Sequence, residues 1–172
     1  SVVSIVNRRD SELTKKSDGV LYTSDGRDIE MSVASTKAFY SQIAAGFLLG
    51  IAISEAANGP LEDPDTKEKR NLLLRGLKEL PSLMREVLAE QGRISEIATE
   101  LAPAKKYWAI VGNGLNIVAA KEIRIKLSEL CYKSIAADFT EDKKHIDLSA
   151  EPMILVCAAG LDGSVAIDAA KE

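Results

Sequence analysis

Five short apolar runs of strand length recur along this chain, at Ser1 to Val6, Gly19 to Thr23, Trp108 to Val111, Lys133 to Ala137 and Pro152 to Ala158. Helical patterns separate most of them. Strands alternating with helices predict an α/β fold whose parallel sheet is covered on both faces. After the first strand, Asn7 to Asp10 reads as a turn and Ser11 to Lys16 as one helical turn; Ser24 to Arg27 is a polar loop. A helix from about Ser35 to Ala57 carries almost no charge before Glu55, which predicts burial nearly all round. Asn58-Gly59-Pro60 ends it. Leu61 to Thr66 reads as a linker. Two amphipathic helices follow, Lys67 to Ala89 and Glu90 to Leu101, with a break near Gly92 and Pro81 marking a fresh start inside the first. Gly112-Asn113-Gly114 is a tight turn into a helix from Asn116 to Tyr132, and a last helix runs to Glu172. The chain opens inside a strand and closes inside a helix. The expectation is therefore the back part of one α/β domain, residues 1–62, joined to the front part of another, residues 63–172, with a helical lead-in over 66–102.

Charge narrows the function. A net charge of −4 over 172 residues leaves no excess cation to neutralise a phosphate backbone, so nucleic acid is not an expected partner. The basic clusters at Lys67, Lys69 and Arg70 and at Lys143 and Lys144 sit beside acids and read as solvated faces. Cys131 and Cys157 lie in apolar runs without ligand spacing, which predicts buried, reduced thiols in a cytoplasmic protein. The longest apolar stretch, Ile43 to Ile53, is shorter than the about 20 residues a bilayer needs, and no signal peptide is visible.

Four features bear on chemistry. Ser32-Val33-Ala34-Ser35-Thr36-Lys37-Ala38-Phe39 places small and hydroxyl residues where a strand-like run gives way to a long helix. Free N–H groups and partial positive charge at such a terminus suit an anionic or hydroxyl-rich ligand, although Ser35 also reads as a plain N-cap. Gly112-Asn113-Gly114 lacks the third glycine of a dinucleotide fingerprint, Ile117 standing in its place, and reads as a strand-to-helix turn. Glu122, Lys126 and Glu129 share one helix face. They form either a surface ion-pair ladder or a proton-moving carboxylate with a lysine beside it, since one carboxylate can take a proton from a carbon and return it to the next. His145, the only histidine, sits in a charged loop where solvent access is expected; it is either incidental or a general acid–base for opening a sugar ring.

At these residues the chain resembles a known family. Val33 to Phe39, preceded by Glu30, is similar to the sugar-site segment in the isomerase half of the glutamine–fructose-6-phosphate aminotransferases, a half built from two tandem sugar isomerase (SIS) domains. Ser1 to Asn7 and Ser17-Asp18 resemble late strands of the first such domain. Val111 to Gly114 with Glu122, Lys126, Glu129 and Tyr132 resembles the second domain's pattern, G-x-G and then E-x-x-x-K-x-x-E-x-x-Y.

The resemblance implies a flavodoxin-like, three-layer αβα fold with a parallel sheet, present as parts of two SIS domains. It implies that Val33, Ala34, Ser35 and Thr36 line the sugar site, that Glu129 shuttles a proton between C1 and C2 with Lys126 as its polar neighbour, and that His145 opens the ring in a neighbouring subunit's site. The implied partners are fructose 6-phosphate or glucosamine 6-phosphate and a second copy of the chain, with no metal or redox cofactor. The family has Gly-Glu-Leu-Lys-His-Gly-Pro around its histidine, whereas this chain has Glu141-Asp142-Lys143-Lys144-His145-Ile146-Asp147. The family's Ser-rich phosphate loop would precede Ser1, as would its glutaminase with a cysteine nucleophile, and its lysine-bearing tail would follow Glu172, so this stretch alone is expected to be inactive. A non-catalytic phosphosugar-binding module, or an isomerase or deaminase without glutaminase, is the alternative.

Overall fold

The computed structural model describes residues 1–25, 33–59, 63–145 and 151–160. Expectations that fall on Gly26-Arg27, Glu30, Ser32, Pro60 to Glu62, Ile146-Asp147 and the last helix lie outside the described residues. The chain divides into two units, Ser1–Ala89 and Glu90–Glu172, each taken by itself below.

In the first unit β1 (Val3–Val6) and β2 (Gly19–Tyr22) pair in parallel, Val3 opposite Gly19 and Val6 opposite Tyr22. Only four residues of helix, α1 (Glu12–Lys15), lie between them, capped by Ser11 Oγ accepting from the Thr14 N–H at 3.4 Å. Two polar ties close this short crossover: Asp18 Oδ2 accepts from the Val2 N–H at 2.6 Å, and the Ser17 hydroxyl donates to Ser4 Oγ at 2.9 Å. Then follow α2 (Lys37–Asn58) and α3 (Pro64–Ala89). Gly59, at φ 73°, supplies the left-handed turn that ends α2.

Several local expectations change here. No residue of α2 is buried: Tyr40, Phe47 and Leu48 are about half exposed. A charge-poor helix needs cover around its whole circumference, and the described neighbours supply it on part. Its 22 residues are also long and apolar enough, by length and composition only, to cross a membrane, which the shorter Ile43–Ile53 run alone does not indicate. The linker expected through Thr66 is helical from Pro64, because Pro64 takes the first helical position and Asp63 caps it, Oδ2 accepting from the Thr66 N–H at 2.8 Å. Pro81 stays inside α3 instead of opening a new helix. Within this unit Arg70 Nη1 of α3 donates to Glu55 Oε1 of α2 at 2.6 Å, and the two helices flank a groove of about 530 Å³ floored by Gly46, Phe47 and Gly50. None of the expected site residues lines it.

The second unit starts with α4 (Gln91–Leu101), the break from α3 falling at Glu90 rather than Gly92. Its sheet has the order β4-β3-β5, all parallel, from β3 (Trp108–Gly112), β4 (Ala136–Asp138) and β5 (Met153–Cys157). The β4 strand lies further along the chain than expected; Lys133 is drawn elsewhere, as described below. Central β3 is buried over its last four residues, with Ile110 and Val111 at 0% exposure, as a two-sided strand requires. Between β3 and β4 runs α5 (Asn116–Cys131), whose Ala120 closes a core with Ile110 and Ile135. Cys131, expected to be buried, is exposed because it ends α5 beyond that core; Cys157 is partly buried and both thiols are free. Burial pushes the Cys157 thiol above its ordinary value.

Two expectations follow from these turns. Thr66 hydrogen bonds hold the Asp63 carboxyl below its usual 3.8, so the cap's contribution is complete above pH 3.8 and is lost as pH falls through the lower folded value. An acid titration of α3 helicity by circular dichroism should show this loss, and Asp63→Asn, which keeps a capping oxygen, should abolish the pH dependence. At Gly112 a Cβ would stand 2.6 Å from the Asn116 carbonyl oxygen. Gly112→Ala should therefore cost about 1–3 kcal/mol in denaturant unfolding of this protein.

Candidate functional site

The sequence-derived site residues fall on two elements of different units. Val33 to Thr36 form the lead into α2. The Ser35 N–H donates to the Val33 carbonyl at 3.0 Å, a three-residue turn that leaves Val33 86% exposed. The helix opens at Lys37, with Thr36 at the cap position, its backbone in the right-handed helical region and its side chain making no cap bond. Ser35 is therefore not the N-cap. It stands one residue outside, within a tight turn of small side chains.

In the second unit the chemistry-bearing face of α5 is built by the turn before it. Gly112 lets the first turn of α5 come within van der Waals reach of the end of β3, and Gly114 adopts φ 56°. The structure thus agrees with a strand-to-helix turn. Asn113 and Asn116, which the sequence reading did not single out, tie this turn to its neighbours. Asn113 Oδ1 accepts from the Thr140 N–H at 3.2 Å, beyond β4, and Asn116 Nδ2 donates to the Ala159 carbonyl at 3.0 Å, beyond β5. Their positions flanking a Gly-x-Gly turn are the signal in the sequence, since short amides bond to nearby backbone at turns.

On α5 the two readings of Glu122, Lys126 and Glu129 separate. Lys126 Nζ lies 2.9 Å from Glu122 Oε1, with the side chains 20% and 21% exposed. That pair is the ladder. Glu129, one turn further on, does not complete it: its Oε2 is buried and has no hydrogen-bond partner among the described residues. Buried polar atoms of this kind are uncommon. Beside it stands an ammonium already engaged by Glu122, so a lysine and an unengaged carboxylate share one face.

His145 ends a 3-10 turn, Asp142–His145, that follows β4; its side chain lies outside the described residues. The loop is less solvated than its charge suggested. Lys143 is 3% exposed and Thr140 is 5% exposed. The backbone at 145 stands at the carboxyl end of β4, whereas Glu129 is in the last turn of α5, which starts at that end and runs back. Thirteen residues of helix separate Asn116 from Glu129, about 20 Å of rise. Within one unit the two residues therefore occupy opposite ends of the sheet.

No family profile matches the chain. It is 32% identical over 144 residues to the glutamine–fructose-6-phosphate aminotransferase (isomerizing) of Mycolicibacterium smegmatis, covering 84% of this chain and 22% of that protein. The chain thus spans about a fifth of the length of the curated relatives it matches. Because the matched stretch takes 144 of 172 residues, it includes 33–36, 126 and 129 wherever it begins. Among solved structures, the C-terminal domain of glucosamine-fructose-6-phosphate aminotransferase from Francisella tularensis superposes with a TM-score of 0.73 at 26% identity, over 90% of this chain and 42% of that one. A protein of Clostridium difficile 630 assigned as a phosphosugar isomerase gives 0.75 at 20% identity, over 98% and 47%. The fold is accordingly the α/β, parallel-sheet fold of the SIS phosphosugar isomerases.

The Glu122–Lys126 pair is partly buried, so its coupling should exceed that of an exposed helix pair. A double-mutant cycle with Glu122→Gln and Lys126→Met, read by denaturant unfolding, should give about 0.5–1 kcal/mol.

Proposed function

We propose that this chain is part of an enzyme that converts fructose 6-phosphate to glucosamine 6-phosphate, with Glu129 as the base that carries a proton between C1 and C2. The observation that carries the reading is the buried, unpartnered Oε2 of Glu129 on the face it shares with Lys126. A buried oxygen without a competing donor supports the role of a base within reach of a carbon acid's proton. In the proposed reaction the carboxylate takes a proton from C1 of the ketose-derived intermediate. The electron pair left behind spreads over C1, C2 and their heteroatoms, and the same carboxyl group returns the proton to C2. Lys126, held by Glu122, presents a cation beside the heteroatoms that gain charge. Val33, Ala34, Ser35 and Thr36 contact the sugar through the open turn before α2. The nitrogen would come from glutamine, as the names of the relatives indicate for those proteins.

His145 acts as the ring-opening acid–base from a second copy of the chain. Support comes from the topology: Glu129 and residue 145 stand at opposite ends of one sheet, so a site using both needs two copies. In the same reading residues 1–62 are the late part of a first SIS domain and residues 63–172 the front part of a second, in a cytoplasmic protein. The likeness to a relative of which the chain spans 22% supports that assignment.

The decisive experiment supplies fructose 6-phosphate and ammonia to the full-length protein and follows glucosamine 6-phosphate. Glu129→Gln should lower kcat by about 100-fold or more, the size of effect that a positioned base provides, with phosphosugar binding retained. Binding by the wild-type protein without turnover would replace this reading with a non-catalytic phosphosugar module.

A further inference from the structure

Glu129 holds its carboxylate in place without a hydrogen bond to Oε2, so its position depends on the helix that carries it. That helix ends two residues later, where fraying would move the base most. The end is not left to fray. Tyr132, just past α5, takes a left-handed backbone at φ 52°, an unusual state for a bulky residue. It turns the chain so that Lys133 reaches back to the amino end of the sheet. There Lys133 Nζ donates to the Lys106 carbonyl at 3.3 Å and to the Lys105 carbonyl at 3.5 Å, and lies 4.9 Å from the centroid of the Trp108 ring. Trp108 is fixed in turn by its own Nε1–H donating to the Lys105 carbonyl at 2.9 Å. Lys105 is paired with Glu151 at 3.2 Å, and the Met153 N–H donates to the Tyr107 carbonyl at 2.9 Å, so the segment that Lys133 grips is anchored to β5 as well.

We infer that Lys133 is a positioning residue for Glu129: through the carbonyls of Lys105 and Lys106 and the face of Trp108, it clamps the last turn of α5 to the sheet. This rests on the reading of Glu129 as the base. The clamp needs a cation with several donors and a flat aromatic partner; an apolar side chain of similar length fills the space without gripping either carbonyl. Lysines commonly lay their stems along apolar surface and keep the ammonium in water, so an ammonium spent on two main-chain carbonyls is a specific use of the residue.

The test uses the full-length protein and two variants, Lys133→Met and Lys133→Arg, with Glu129→Gln beside them. Turnover of fructose 6-phosphate and ammonia is followed together with amide hydrogen exchange along α5. Lys133→Met should lower kcat about tenfold or more with KM changed less than threefold, and should speed exchange at Glu129–Tyr132 while leaving Ile110 and Ala120 protected. Lys133→Arg, which can still donate to both carbonyls and stack on Trp108, should recover most of kcat. An unchanged kcat in Lys133→Met overturns the proposal, as does faster exchange throughout the core, which would mark a stability role alone. If Glu129→Gln keeps full activity, the reading of Glu129 has failed and the clamp has no base to position. If Glu129→Gln is inactive and Lys133→Met is not impaired, only the clamp has failed.

Discussion

A carbonyl oxygen standing 2.6 Å from where a Cβ at Gly112 would be is the constraint on which the second unit depends. Only glycine lets the first turn of α5 come this close to the end of β3. With that approach fixed, Ala120 reaches Ile110 and Ile135, and the helix runs back along the sheet at a set height and rotation. Glu122, Lys126 and Glu129 inherit their places from this start. Asn113 and Asn116 extend the same constraint sideways, since their amides fasten the turn to the chain beyond β4 and β5. In the order β4-β3-β5 the chain leaves β3 for β4 on one side and then crosses to β5 on the other, the kind of reversal at which open parallel sheets leave a crevice.

The two ends of α5 then divide the chemistry. Its amino end is crowded with polar ties and a buried lysine, Lys143. Toward its carboxyl end lie an ion pair, an oxygen with no partner among the described residues and a lysine bent onto main-chain carbonyls. The first unit follows a different logic. Among the described residues its two strands are short, the helix between them is a single turn, and little of α2 is covered; small residues at Gly46 and Gly50 open a groove toward α3. The turn at Val33 to Ser35 projects from the start of this helix, and its exposure suits contact with a ligand more than packing.

The order of strands and helices, the parallel pairing and the position of α5 were legible in the sequence, because apolar runs of strand length and helical spacing are local signals. The candidate site was legible as residue types on a face: the spacing of Glu122, Lys126 and Glu129 is a property of any α-helix. Expectations failed where local signals met packing. Pro81 reads as a helix start, yet α3 has already begun at Pro64 under the Asp63 cap and passes through it to Ala89. Asp63-Pro64 reads as linker because prolines punctuate loops, but a carboxylate cap turns the same residues into a helix start. Cys131 sits in an apolar run and is exposed, since the run outlasts the core it packs on.

By itself the sequence determined the α/β class, the parallel sheets and the face that Glu129 shares with Lys126, for these depend on periodicities of two and 3.6 residues. Only the tertiary structure decided which carboxylate is engaged and which is not. Glu122 and Glu129 are the same residue type at comparable distances from Lys126, and a sequence pattern treats them alike. The Lys126 ammonium is held by Glu122, and burial at the end of the helix removes water from Oε2 of Glu129. Lys133 is the same kind of case: a lysine after a helix is unremarkable in sequence, and its role exists only because the amino end of β3 folds back beneath it.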